Sequence, residues 1–269
     1  VNKLRRLLLL LLLVPLAGLL FAGCGPGAEQ VMKDSMRVSD KEIKTLHFDI
    51  TQTIRLPRAP IQQGKVAKQN YVQQASGDFD LRTGDFQEKT QLVPGVEVAV
   101  LQVGKKQYWK LAGNWYDVPQ SVQISPPVTQ ALSTSQYLKE FKNITKLGNT
   151  RVEGQSVYHI RAVPDMAELV KQPGVTDLLK DPNGKQIRTV DEIQEMKVVF
   201  DFYVLTRNDY FKRSVTAVES RAPNELIQLG YAEAGDKITQ NADVTFSRYN
   251  EKLNLTAPTK TSPLPAKTP

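Results

Sequence analysis

From Leu46 onward one pattern governs the chain: apolar and polar residues alternate with a period of two, in short segments cut by Gly, Pro and Asn-Asp turns. Leu46, Phe48 and Ile50 alternate with His47, Asp49 and Thr51, which puts the apolar set on one face of a strand running to about Arg55. Further strands are expected over Lys68 to Ser76, Asp78 to Leu81 and Asp85 to Leu92, separated by Gly77 and Thr83-Gly84. Val96 to Val103 is apolar except at Glu97 and Gln102, as in a strand covered on both faces. Strands at Gln107 to Leu111, Trp115 to Val118, Thr145 to Val152 and Ser156 to Ala162 follow, and Lys197 to Leu205, Tyr210 to Arg221, Glu225 to Tyr231 and Ala242 to Tyr249 close the series. Such closely spaced segments pair as antiparallel neighbours.

Helical patterns are few. Val31, Met32, Ser35, Met36, Val38 and Ile43 form a stripe over Ala28 to Ile43, with a second start at Ser39-Asp40, where Ser39 precedes Glu42 in capping-box spacing. Val128 to Asn143 reads as a helix after Pro126-Pro127. Asp165 to Met196 reads as an insertion with short helical pieces around Pro173-Gly174, a candidate lid. The tail, Thr256 to Pro269, is Pro, Thr and Lys and is expected to be disordered.

The N-terminus carries a different signal. Lys3, Arg5 and Arg6 precede an apolar run of 16 residues, Leu7 to Ala22, then Gly23 and the single cysteine, Cys24. A membrane-spanning helix needs about 20 mostly apolar residues, and this run is interrupted by Pro15 and Gly18. The arrangement is that of a secretory signal peptide, residues 1–23. Phe21-Ala22-Gly23-Cys24 resembles the lipobox of bacterial lipoproteins, with Phe21 where Leu is usual. That resemblance implies cleavage before Cys24 and a covalent diacylglycerol on its thiol, so residues 24–27 become a lipidated spacer and the body is held at the extracytoplasmic face of a membrane.

Composition narrows the chemistry. Cleavage before Cys24 leaves 246 residues as one domain, with no second cysteine for a disulfide. The formal charge falls from +7 to +4 with the loss of the leader, and no run of five like charges remains, which argues against nucleic acid as a partner. Two histidines and one acylated cysteine supply neither a zinc ligand set nor a thiol nucleophile pair. No Gly-x-Ser-x-Gly elbow or glycine-rich phosphate loop occurs. The sequence therefore predicts no enzyme, metal or dissociable cofactor. Trp109, Trp115 and Tyr116 offer an aromatic patch, although aromatics in a hairpin more often staple strands.

The order of several pieces is similar to that of the LolA/LolB-type lipoprotein superfamily, and within it to the LppX/LprG group. The pieces are Leu46-His47-Phe48-Asp49, Lys106-Gln107-Tyr108-Trp109 with Trp115-Tyr116, and Leu147-Gly148 with Val152 to Ile160. Val199-Phe200-Asp201-Phe202-Tyr203 and Asp243 to Asn250 before Ala257-Pro258 complete the set. The resemblance implies an α+β fold over residues 28–255, a strongly curved antiparallel half-barrel closed by helices around an apolar cavity. It also implies binding of acyl chains and the carrying or presenting of a lipid, glycolipid or lipoprotein in the envelope. Phe48, Ile50, Val98, Val100, Phe200, Phe202 and Val204 are the expected inward-facing residues, with core packing and ligand contact both open for each. A second reading keeps the scaffold but makes it a sensor for an envelope protein partner, contacted through a strand edge or the tail.

Overall fold

The computed structural model describes residues 25–59, 61–62, 65–66, 69–93, 96–120, 123–124, 140–171 and 189–264. The leader and Cys24 lie outside the described residues, as do 172–188 of the expected insertion and 265–269 of the tail. Every described element falls between residues 25 and 264, and all strands but two belong to one hydrogen-bonded sheet.

Helix α1 (Ala28–Glu42) opens the chain, and Val31, Met32, Ser35, Met36 and Val38 are all buried, as the stripe predicted. The buried Ser35 hydroxyl donates to the Val31 carbonyl at 2.8 Å and so stays satisfied within the helix. The helix runs unbroken through Ser39-Asp40, so no second start occurs there.

The strands are β1 (Thr45–Arg55), β2 (Ile61–Gln62), β3 (Lys65–Val66), β4 (Asn70–Asp80), β5 (Phe86–Val93), β6 (Val96–Val103), β7 (Lys106–Leu111) and β8 (Asn114–Val118). They continue with β9 (Phe141–Val152), β10 (Gln155–Pro164), β11 (Lys197–Leu205), β12 (Phe211–Arg221), β13 (Lys237–Ser247) and β14 (Ser262–Pro263). Three short helices, α2 (Met166–Leu169), α3 (Val190–Gln194) and α4 (Asn224–Gln228), complete the described elements. Apart from the β2–β3 hairpin, the strands form one open, curved sheet in the order β14-β8-β7-β6-β5-β4-β1-β13-β12-β11-β10-β9, antiparallel except at β14. Chain neighbours pair in long hairpins, and the β1–β13 ladder, Phe48 opposite Phe246 and Ile50 opposite Val244, joins the two halves.

Four expectations are corrected. Gly77 does not separate two strands but lies inside β4, opposite Phe48 and Glu88. A Cβ there would meet the Gln87 carbonyl oxygen at 2.2 Å and Phe48 Cζ at 2.8 Å, so glycine serves close packing rather than a turn. Glu225 to Tyr231 is not a strand. Pro223 and Asn224 start α4, which lays Leu226 and Ile227 with Tyr231 against Leu56, Ala222, Ala232 and Ile238. The helix expected over Val128 to Asn143 cannot include Phe141 to Asn143, which open β9 opposite Val163 and Pro164; residues 128–139 lie outside the described residues.

The fourth correction concerns the tail, which is placed as far as Leu264. Asn250 N–H donates to the Thr45 carbonyl and Thr45 Oγ1 to the Glu251 carbonyl, which fixes its start. Ser262–Pro263 then adds to the β8 edge, with Thr261 Oγ1 donating to Asp117 at 2.7 Å and Leu264 N–H to the Asp117 carbonyl. Pro258 and Leu264 of the tail are half-buried, as are Leu253 and Leu255 just before it.

Candidate functional site

Residues directly opposite in a ladder share a face, so the registers can be read as rows across the sheet. One row runs Ile160, Phe202, Ser214, Val244, Ile50, Ala75, Thr90 and Val98. The next runs Phe246, Phe48, Gly77, Glu88, Val100, Trp109 and Tyr116. Helix α1 covers the same inner face at its β9–β10 end, where Val31, Met32 and Met36 pack on Ile160, Ala162, Phe202 and Val204.

All seven expected inward residues stand on this face. Phe48, Ile50, Val98, Val100, Phe202 and Val204 are buried, and Phe200 is half-buried. They do not meet in one group. Phe48, Ile50, Val98 and Val100 join Ile43, Leu46, Phe79, Phe86, Val244 and Phe246 in one cluster. Phe202 and Val204, with Phe200 alongside, belong to the α1 cluster. Strand β12 lies between them and brings the small, buried Ser214 to the inner face. Phe211 touches both clusters, its ring centroid 5.7 Å from that of Phe202.

Among the described residues the apolar face is tight at its centre and less buried towards two sides. Beyond Val100 the row continues into half-buried Trp109 and Tyr116, with Leu111 beside them. Above the packed rows, Phe200, Thr216, Ala242 and Gln52 are aligned and half-buried. Trp115 points to the other face, so the three aromatics of the β7–β8 hairpin do not form one patch. Burying an aromatic side chain stabilises by about 1.5–3 kcal/mol, so this face both holds the sheet together and presents apolar surface at its borders.

Two charged residues interrupt it. Lys212 is buried, with its Nζ donating to the Phe246 carbonyl at 3.3 Å and paired with Glu153 at 2.5 Å. Glu88 is 3% exposed, and its Oε2 has no hydrogen-bond partner among the described residues. Burial pushes the Glu88 carboxyl up to about 7, because its charged form would lose water without gaining a counter-ion. Glu88 was missed in the sequence because a lone Glu in a β-strand reads as surface. Its position two residues from both Phe86 and Thr90 was the available signal for an inward side chain.

The outer face is mostly polar, although Leu101 and Tyr108 are buried on it at β6 and β7. His47 Nδ1 lies 2.8 Å from Asp78 Oδ1, and Asp78 also accepts from Gln87 Nε2 and Arg248 Nη2, each at 2.7 Å. His159 Nε2 lies 2.8 Å from Asp201, which also accepts a two-pronged pair from Arg161 at 3.0 Å. A groove of about 680 Å³ crosses this face between His47, Asp78, Lys89, Lys110 and Trp115, and Asn254 and Thr256, where the tail begins, also line it. Among the described residues no cluster of His, Cys, Asp and Glu could hold a metal ion, and no helix is long and apolar enough to cross a membrane.

No protein-family model matches the sequence, and a sequence search of curated proteins finds no match. Solved structures do match. LprF from Mycobacterium bovis superposes with a TM-score of 0.50 at 16% identity, over 87% of this chain and 99% of that one. The chain has the fold of LprF. Lipoprotein LppX of Mycobacterium tuberculosis is similar at a TM-score of 0.47 and 14% identity, over 85% and 98% of the two chains. A LolA superfamily protein from Nitrosomonas europaea gives 0.31 and 7%, over 87% and 99%. The LprF match extends over nearly the whole described body, so the curved sheet with its flanking helix is the fold expected from the resemblance to the LppX/LprG group.

Proposed function

We propose that this protein is a non-enzymatic lipoprotein of the bacterial envelope that binds lipid acyl chains on the inner face of its sheet. It is held at the extracytoplasmic membrane surface by diacylglycerol on Cys24, and it carries or presents a lipid or glycolipid. The observation that supports this reading is the inner face itself. A largely apolar row crosses the sheet and ends among the described residues at half-buried Trp109 and Tyr116, with half-buried Leu111 beside them, while the ion pairs Asp78–Arg248 and Arg161–Asp201 stand on the opposite face. Burying acyl methylenes is worth about 0.8 kcal/mol each, so a chain laid along this surface gains useful affinity without any reactive group. The shared fold with LprF is consistent with the reading.

Two assays test its parts. Mass spectrometry of the N-terminal peptide from membranes should find an acylated Cys24, and an unmodified thiol would remove the anchor. Residues 25–269 should accelerate transfer of a fluorescent acyl lipid between donor and acceptor vesicles; transfer at the protein-free rate would remove the carrier role.

One observation favours a second reading, a partner-binding role. β9 is an edge strand of the sheet, and Leu147 on it is 48% exposed, a surface on which an extended peptide of an envelope protein could pair. Lysines at 142 and 146 guard that edge against indiscriminate pairing.

A further inference from the structure

Glu88 is an anomaly for a protein whose interior is otherwise sorted by polarity. It stands in register between Gly77 and Val100, and the Phe48 ring occupies the space that a side chain on Gly77 would take. The neighbouring polar groups on this face are committed. Trp109 Nε1 donates to Gln107 Oε1 at 3.0 Å, and Thr90 Oγ1 donates to the Gln74 carbonyl and accepts from Gln73. Lys212, the buried cation, is taken by Glu153 and the Phe246 carbonyl. Among the described residues Glu88 Oε2 alone in this group has no partner, and a buried polar atom without one costs about 1–3 kcal/mol.

The row that holds Glu88 is also the row that becomes partly exposed towards one side. From Glu88 it passes through buried Val100 to half-buried Trp109 and then Tyr116 at the β7–β8 border. A chain entering over Tyr116 and Trp109 would bring its polar end, or a polar group along its length, to the carboxyl.

We propose that Glu88 is the polar contact of the lipid site, hydrogen-bonding an uncharged ester or hydroxyl oxygen of an acyl lipid whose chain lies over Trp109 and Tyr116. The inference rests on the lipid-binding reading and adds a ligand class to it. A protonated carboxyl donates to an ester carbonyl and can both donate to and accept from a hydroxyl, whereas an ionised fatty-acid carboxylate would set two acids against one proton. The elevated affinity of Glu88 for its proton, to about 7, agrees with the neutral form being the one that meets the ligand. The site therefore selects acylglycerol-type esters over free fatty acids of the same chain length.

The test uses residues 25–269 with three probes: diphenylhexatriene, a hydrocarbon; monopalmitoylglycerol, an uncharged ester; and palmitate at pH 8. Glu88→Leu is expected to bind monopalmitoylglycerol about ten-fold more weakly than the wild type and palmitate more tightly, with diphenylhexatriene unchanged. Glu88→Gln, which keeps a donor and an acceptor, should stay within about three-fold of the wild type for the ester. Equal ester affinity in wild type and Glu88→Leu would overturn the assignment, and so would a parallel loss of all three probes. Failure of the wild type to take up any of the three would instead remove the lipid-binding reading on which the assignment rests.

Discussion

The two faces of this sheet are built from the same strands and alternate residues, yet they are held by opposite physics. The outer face is stitched by charge: Asp201 accepts from Arg161 while His159 approaches it, Asp78 from Arg248 and Gln87, and Arg213 pairs with Asp243. The inner face is held by burial of Phe48, Phe86, Val98, Val100, Phe202 and Val204, and its one unpaired carboxyl is Glu88. Half-exposed ion pairs are worth about 0–1 kcal/mol each, and core aromatics several times that. Stability and ligand affinity therefore draw on the same inner surface, whereas the exposed ion pairs of the outer face can vary at little cost.

That contrast breaks most sharply at Phe48. Phe48→Ala should cost about 3–5 kcal/mol in chemical denaturation, because Phe48 is fully buried and bridges β1 to Gly77 of β4. Gly77→Ala is next, at about 1–3 kcal/mol, since the new methyl must push the β5 backbone at Gln87 away from β4. An unchanged midpoint in either variant would show that the inner rows are loosely packed.

Glu88 gives the contrast a pH signature. Its folded-state value, about 7, lies above the ordinary 4.5, so the unfolded chain releases the proton first as pH rises. Stability should therefore fall between about pH 4.5 and 7 and level off above, by on the order of 1–3 kcal/mol. Glu88→Gln should flatten that slope in denaturation curves taken at pH 5 and pH 8; an equal slope in both proteins would assign the pH dependence elsewhere. The smallest effect belongs to the outer face. Arg161→Ala should cost about 1 kcal/mol or less, and less still in 1 M salt, where screening is nearly complete. A loss as large as that of Phe48→Ala would erase the distinction between the faces.

Much of this was legible in the sequence, and the exceptions share a cause. Alternation located the strands and placed all seven expected residues on one face, because a period of two reports side-chain direction whatever the strand pairs with. It did not report what lies across the ladder. Gly77 looked like a break because the Phe48 ring that replaces its side chain comes from another strand. Residues 225–231 are short and apolar enough to read as a strand, but Pro223 and the cluster around Leu56 and Ile238 make them a helix and turn. The tail's composition hid its partner, the β8 edge, since backbone pairing needs no apolar side chain. Glu88 was overlooked for the same reason: its burial comes from rows on other strands, not from its neighbours in sequence.

The most direct measurement is native mass spectrometry of residues 25–269 expressed in a lipid-containing host, followed by organic extraction of what the protein carries. A discrete added mass that extracts as an uncharged acyl ester is the expected result. A clean protein mass, with no uptake of added monopalmitoylglycerol, would contradict it and leave the inner face as a structural core alone.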